Sequence, residues 1–239
     1  MKIARAQTPD GVVTGNYENG VLKSEENTYE IGAEADLLAP VAPPTLYCVG
    51  RNYTSTNDLM DYDHPDEPDF FIKPSVATHP PQAPIPYPTF SDDVTYAGEL
   101  AAVVGKRCKN VSEDEIDGIL RGYTIMNDVD ALDQQGRTAR KAFDGSAPLG
   151  PWIETDIDPT GIDIRTEING EERQRSNTDA MIFDPREVIS FLSERCTLLP
   201  NDVVAFGSPA NPGRIEPGDE IEITYEGIGT LRNTVTSIE

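Results

Sequence analysis

The sequence predicts a mainly β protein with a few short helices, of the α+β class. Twenty prolines and 19 glycines are spread along 239 residues, so the chain is punctuated by turns throughout. The apolar runs are short, rich in β-branched residues, and bounded by Asn, Asp, Gly and Pro clusters, as strands in a turn-rich protein are. No stretch sustains the 3.6-residue apolar period of a long helix. A chain of this length forms one or two domains and buries a substantial core.

Taken in order, "KIARA" and "GVVTGNY" read as a small N-terminal β unit, and "GAEADLLAPVAPPT" as a linker, placing a boundary near residue 40. The second unit, residues 41–239, opens with "LYCVG", a short buried strand, followed by "RNYTSTNDLMDY", a helix or an ordered loop. "FFIKP" runs into a Pro-rich connection, "HPPQAPIPYP". In "VSEDEIDGIL", Ser112 precedes Glu115 by three residues, a capping box that starts a short helix ending near Gly118. "GYTIMNDV" is β-like, with Tyr123 and Met126 as core residues. The alternation of Ile164, Thr166 and Ile168 leads into Asn169-Gly170, a strong type I′ hairpin signal. "DPREVISFLSER" supplies Asp184 as N-cap, Pro185 at the first helical position, and Val188, Ile189 and Leu192 on one face. The last third, "DVVAFGSP", "DEIEITYEGIG" and "TLRNTVTSI", reads as strands closing a sheet, and Trp152 is expected to pack beneath a site rather than to bind a ligand.

With 42 acidic and 19 basic residues the net charge is −23, and the acids are dispersed. Such a field repels nucleic acid and anionic membranes. Few lysines and an acidic shell resemble proteins of salt-loving organisms, where ambient ions screen the self-repulsion. No apolar run approaches a membrane span, and "MKIARAQTPDG" lacks an export signal, so a cytoplasmic protein is expected. Cys48, Cys108 and Cys196 are odd in number and lack C-x-x-C spacing, which favours reduced structural thiols. The two histidines, His64 and His79, have no partner at metal-binding or triad spacing.

The informative polar groups are those set against apolar strands: Glu99 before "LAAVV", Asp128 after "YTIMN", Lys73 after "FFI", and Lys141 in "RKAFDG". Charges in such places are costly unless paired, hydrogen-bonded or metal-bound. Two carboxylates without His or Cys favour a hard cation, Mg²⁺, Mn²⁺ or Ca²⁺. Two lysines nearby suit the carboxylate of an anionic substrate or an enolate oxygen.

The order of motifs then resembles the fumarylacetoacetate hydrolase family from about residue 45 onward: "YCVGRNY", "FFIKP", "DVTYAGELAAVVG", "GYTIMNDVDALDQQ", "RKAFDGSAPLGPWI", "INGEERQRSNTDAMIFDPREV", "LLPNDVVAFGSPANPG" and "IEPGDEIEITYEGIGTLRN". The resemblance implies a mixed β-sandwich roll preceded by a small β domain, a homodimer, and a divalent metal on a Glu-x-Glu pair and a later Asp. It assigns Glu99 and Asp128 as metal ligands, Lys73 and Lys141 as catalytic residues, and Gln135, Gly207 and Ser208 as substrate-side residues. The departures fall at chemical positions. Ala97 stands where the first Glu of the pair belongs, Thr56 and Leu59 where a water-activating His and Glu belong, and Leu132 where a substrate-binding Arg belongs. Asp58 is then the one nearby carboxylate that could replace the missing base, and Asp92, Asp93 and Asp130 could rebuild a metal site. Two functions are expected from these features. One is metal-dependent hydrolase, decarboxylase, isomerase or hydratase chemistry on a small 2-oxo or β-dicarbonyl acid; the other is a degenerate homologue that binds a ligand or acts as a scaffold.

Overall fold

The computed structural model describes residues 1–237. Strand Gly98–Val104 organises the molecule. Its neighbours are Leu120–Asn127 on one side and Val203–Ala205 on the other. Leu100, Ala102 and Val104 enter one core cluster, whereas Ala101 and Val103 enter another. This alternation across the pleat explains an uninterrupted apolar run: the strand is buried on both faces.

The sheet built on it has 12 strands. Beyond Val203–Ala205 lie Leu46–Gly50 and then the edge strand Asp69–Lys73. Beyond Leu120–Asn127 lie Ala147–Glu154 and then the N-terminal strands, beginning with Lys2–Thr8. A five-stranded sheet, ordered Glu171–Asn177, Asp163–Ile168, Glu220–Tyr225, Gly229–Ser237 and Ile85–Tyr87, forms the second layer. The larger cluster joins the layers, taking Leu100 and Ile125 from one sheet and Ile164, Ile223 and Leu231 from the other. The mainly β sandwich with short helices is the architecture expected. Among the described residues, no helix is long and apolar enough to cross a membrane.

Local signals act as their chemistry dictates. Asp184 accepts from the N–H groups of Arg186 and Glu187 at 2.8 and 3.0 Å, starting helix Pro185–Arg195, whose Val188, Ile189 and Leu192 are buried. The Ser112 N–H donates to the Glu115 carboxylate at 3.0 Å, closing the capping box, although the helix Glu113–Gly118 is a 3₁₀ helix. Asn169 and Gly170 both take positive φ, 53° and 75°, at the hairpin tip. Tyr123 and Met126 are buried, and all three cysteines are free.

Three expectations are corrected. The linker contains a strand, Asp36–Leu38, paired with Lys2–Thr8. The Pro-rich connection contributes strands Thr78–His79 and Ile85–Tyr87, each pairing in parallel at a sheet margin. Trp152 lies at the seam with the N-terminal strands, stacked on Tyr17 at 4.4 Å and donating to the Ile228 carbonyl, and does not line the pocket described below. The N-terminal strands keep a cluster of their own, with Ala4, Ala6, Leu22, Tyr29 and Leu37 at its centre.

Replacing Asp184 by Ala removes the acceptor for two backbone donors. We expect a loss of about 1 kcal/mol in denaturant unfolding; an unchanged midpoint would show that the cap does not stabilise this helix.

Candidate functional site

Lys73 ends the edge strand of the large sheet and is only 1% exposed. Burying an ammonium requires every N–H to find a partner. Its Nζ donates to Asp128 Oδ1 at 2.5 Å, the Ser146 carbonyl at 2.6 Å and the Val129 carbonyl at 3.0 Å. The acceptors come from the chain just after Leu120–Asn127 and just before Ala147–Glu154, so one side chain ties the edge of the sheet to its centre. The other oxygen of Asp128 accepts from Lys141 at 2.5 Å. Lys141 also contacts Asp130 at 3.0 Å, and Asp130 is held by Arg140 through two hydrogen bonds of 2.9 and 2.6 Å. The helix Arg137–Lys141 presents these cations, with three basic residues in five.

Glu99 completes the floor. It is 3% exposed and accepts from the Gly207 N–H at 3.1 Å. Gly207 is there for its backbone: its φ is +85°, and a Cβ would sit 3.0 Å from the Val49 carbonyl. Burial, with the Asp128 charge adding to it, pushes Glu99 up to about 8. Burial would raise Asp128 as well, but the Lys141 and Lys73 ammonium groups outweigh it and hold Asp128 below the usual carboxylate value. Burial would lower Lys141, yet Asp128 and Asp130 hold it above its ordinary value. The floor is thus a chain of ion pairs ending in one carboxyl without a cationic partner in contact.

Over this floor is a pocket of about 510 Å³, lined by Glu99, Asp128, Asp130, Arg140, Lys141, Gly207 and Ser208 and walled by Thr56, Met60, Tyr62, Phe71, Ala97 and Leu132. The structure therefore brings together Glu99, Asp128, Lys73, Lys141, Gly207 and Ser208. It does not bring in two others. Asp58 lies on helix Thr54–Met60 with its side chain 77% exposed, 3.7 Å from His64. Gln135 is exposed in the turn before Arg137 and is not part of the lining. Of the alternative acids, Asp130 belongs to the floor, whereas Asp93 is paired with Arg214. Thr56, at the position of the implied histidine, donates to the Ser208 carbonyl at 2.9 Å and ties its helix to the "GSP" loop. Leu59 is 58% exposed.

Sequence reasoning missed the cationic rim. Arg137 grips Asp69 with two 2.8 Å bonds, and Arg51 approaches the same carboxylate at 3.8 Å. The density of "RTARK" in a chain with only 19 basic residues was the available signal.

The implied divalent ion can be tested against these donors. Both Asp128 oxygens accept from ammonium groups, and position 97 offers only a methyl. Among the described residues, no three His, Cys, Asp or Glu side chains gather as a metal-binding group. The residues present do not fit Mg²⁺, Mn²⁺ or Ca²⁺, because such ions need several anionic oxygens free to turn toward them.

Comparison with known proteins agrees with the fold. The family model described as fumarylacetoacetate (FAA) hydrolase, C-terminal, matches residues 45–236. The 5-carboxymethyl-2-hydroxymuconate delta-isomerase of Mycobacterium smegmatis, in its crystal structure, is 39% identical over the whole of both chains, with a TM-score of 0.93. Fumarylpyruvate hydrolase from Pseudomonas aeruginosa, solved with Mn²⁺ and pyruvate, is 30% identical over 87% of this chain and 94% of its own, with a TM-score of 0.78. The mitochondrial oxaloacetate tautomerase FAHD2A of Bos taurus is 34% identical over 85% of this chain and 70% of its own length.

Replacing Asp128 by Asn removes the charge that Lys73 and Lys141 share. Breaking a buried pair in this way costs about 3–5 kcal/mol. Unfolding of Asp128→Asn in denaturant should show that loss, and a change below about 1 kcal/mol would contradict the tightly paired floor.

Proposed function

Because the chain belongs to the fumarylacetoacetate hydrolase family, we propose that it is an enzyme that binds a small 2-oxo or β-dicarbonyl acid in this pocket. The Lys141 ammonium stabilises the substrate's enolate, giving tautomerisation, isomerisation or decarboxylation rather than hydrolysis. The observation that carries this reading is Lys141 itself, a nearly buried cation that lines the pocket and is oriented by Asp128 and Asp130. An ammonium has three donors. Two point to carboxylates, which leaves one for an oxygen that gains negative charge in the transition state.

The surroundings support an anionic substrate. In a protein of net charge −23, Arg51, Arg137, Arg140 and Lys141 converge on one pocket. Arg140 spends Nε and one terminal nitrogen on Asp130 and keeps donors for a ligand carboxylate. In decarboxylation of a β-keto acid, the C–C electron pair passes to the oxo oxygen as CO₂ leaves, and water then protonates the carbon that carried the lost carboxylate. Tautomerisation moves a proton from the enol oxygen to that carbon through the same enolate. Neither needs a water molecule activated as a nucleophile, and the positions implied for an activating pair do not supply one: Thr56 is bonded to Ser208, Leu59 is apolar, and Asp58 faces solvent.

A second reading, a ligand-binding protein without catalysis, draws support from Ala97, Thr56, Leu59 and Leu132, all at positions of chemistry in the implied family pattern. Turnover separates the two. Oxaloacetate, the substrate in the name of the bovine relative, can be followed by enol absorbance and CO₂ release in KCl buffer. Under the first reading the native protein accelerates loss of the enol or release of CO₂, and Lys141→Met lowers kcat by about 10²–10³-fold, as for loss of one oxyanion donor. Pyruvate binding without turnover of any 2-oxo acid would favour the second.

A further inference from the structure

We infer that the pocket is built for a 2-oxo monocarboxylate with an apolar tail, and that Leu132 sets this preference. The inference rests on the enolate reading above and names its substrate class. The pocket lining combines two chemistries. Lys141, Arg140 and the acids they pair with form the floor, while Leu132, Met60, Tyr62, Phe71 and Val49 line the remainder. Leu132, Met60 and Tyr62 are 40%, 51% and 42% exposed, an unusual concentration of bare apolar surface in so acidic a protein. Cations and aromatic rings meet in this lining. Arg51 lies over the Tyr62 ring at 4.7 Å, and Lys141 and Arg137 each lie 5.4 Å from the centre of the Phe71 ring.

A second carboxylate on the substrate would compete with ion pairs already made. Arg137 is committed to Asp69 through both terminal nitrogens, and Arg51 leans on the same carboxylate. Recruiting either would break an ion pair. Leu132 offers no donor, and its position is fixed because its N–H donates to the Asp93 carbonyl at 2.7 Å, directly after strand Asp130–Ala131. A tail of methylene groups meets no such obstacle and removes the exposed faces of Leu132, Met60 and Tyr62 from water. The ligand is thus oriented head down, with its oxo acid group on the cations and its tail toward the mouth.

Calorimetric binding of pyruvate, 2-oxobutyrate, 2-oxopentanoate, 2-oxohexanoate and 2-oxoglutarate to the native protein and to Leu132→Arg tests this. On the native protein Kd should fall about fourfold per added methylene, the equivalent of ~0.8 kcal/mol. 2-Oxopentanoate should bind more tightly than 2-oxoglutarate, which has a carboxylate where the former has its terminal methyl. In Leu132→Arg, a change at a partly exposed position with folding checked by thermal melting, that order should reverse. Equal or tighter binding of 2-oxoglutarate by the native protein, or no dependence on chain length, would overturn the inference while leaving the enolate reading intact. If no 2-oxo acid bound at all, pyruvate included, both would fall.

Discussion

The buried ammonium of Lys73 is the constraint on which the site depends. A charge so far from water must be matched at every donor, and its three acceptors belong to segments that are distant in sequence. The edge strand Asp69–Lys73, the end of Leu120–Asn127 and the start of Ala147–Glu154 must therefore reach final positions together. That requirement aims Asp128 at the pocket floor and leaves its second oxygen facing Lys141. It also explains how a polar site sits at the end of strands that are otherwise mostly apolar.

From that anchor the electrostatics follow. Two acids, Asp128 and Asp130, are joined to three bases, Lys73, Lys141 and Arg140, in one connected group, with the buried Glu99 carboxyl beside it. Both Asp128 oxygens and the Asp130 carboxylate are already taken up by these cations. A substrate carboxylate finds cations there although the molecule as a whole is strongly acidic. Ala97 and Leu132, the positions where the family resemblance implies a carboxylate and a guanidinium, both line this pocket.

What was legible in the sequence was what short-range chemistry decides. Asp184-Pro185 marks a helix start because the cap and the missing N–H act within one turn, and Asn169-Gly170 marks a hairpin because both residues tolerate positive φ. The pocket acids and lysines were legible as charges against apolar strands. Pairings across the fold were not. Trp152 meets Tyr17 from the N-terminal strands, and Asp130 meets Arg140 only because Asp130–Ala131 pairs with Val94–Tyr96 and so faces the short basic helix. Asp58 was close in sequence to the implied dyad, but a helix turns successive residues in different directions: Thr56 reaches the "GSP" loop and Asp58 faces water.

The central claim is that Lys141, held by Asp128 and Asp130, supplies the positive charge in this pocket and that the donors present do not hold a divalent ion. Titration of the native protein with Mn²⁺ by calorimetry, with and without pyruvate, tests it most directly. The account predicts no saturable binding tighter than about 1 mM, a free energy of only ~4 kcal/mol. Stoichiometric micromolar binding that disappears in Glu99→Gln would contradict it and would make Glu99 and Asp128 metal ligands after all.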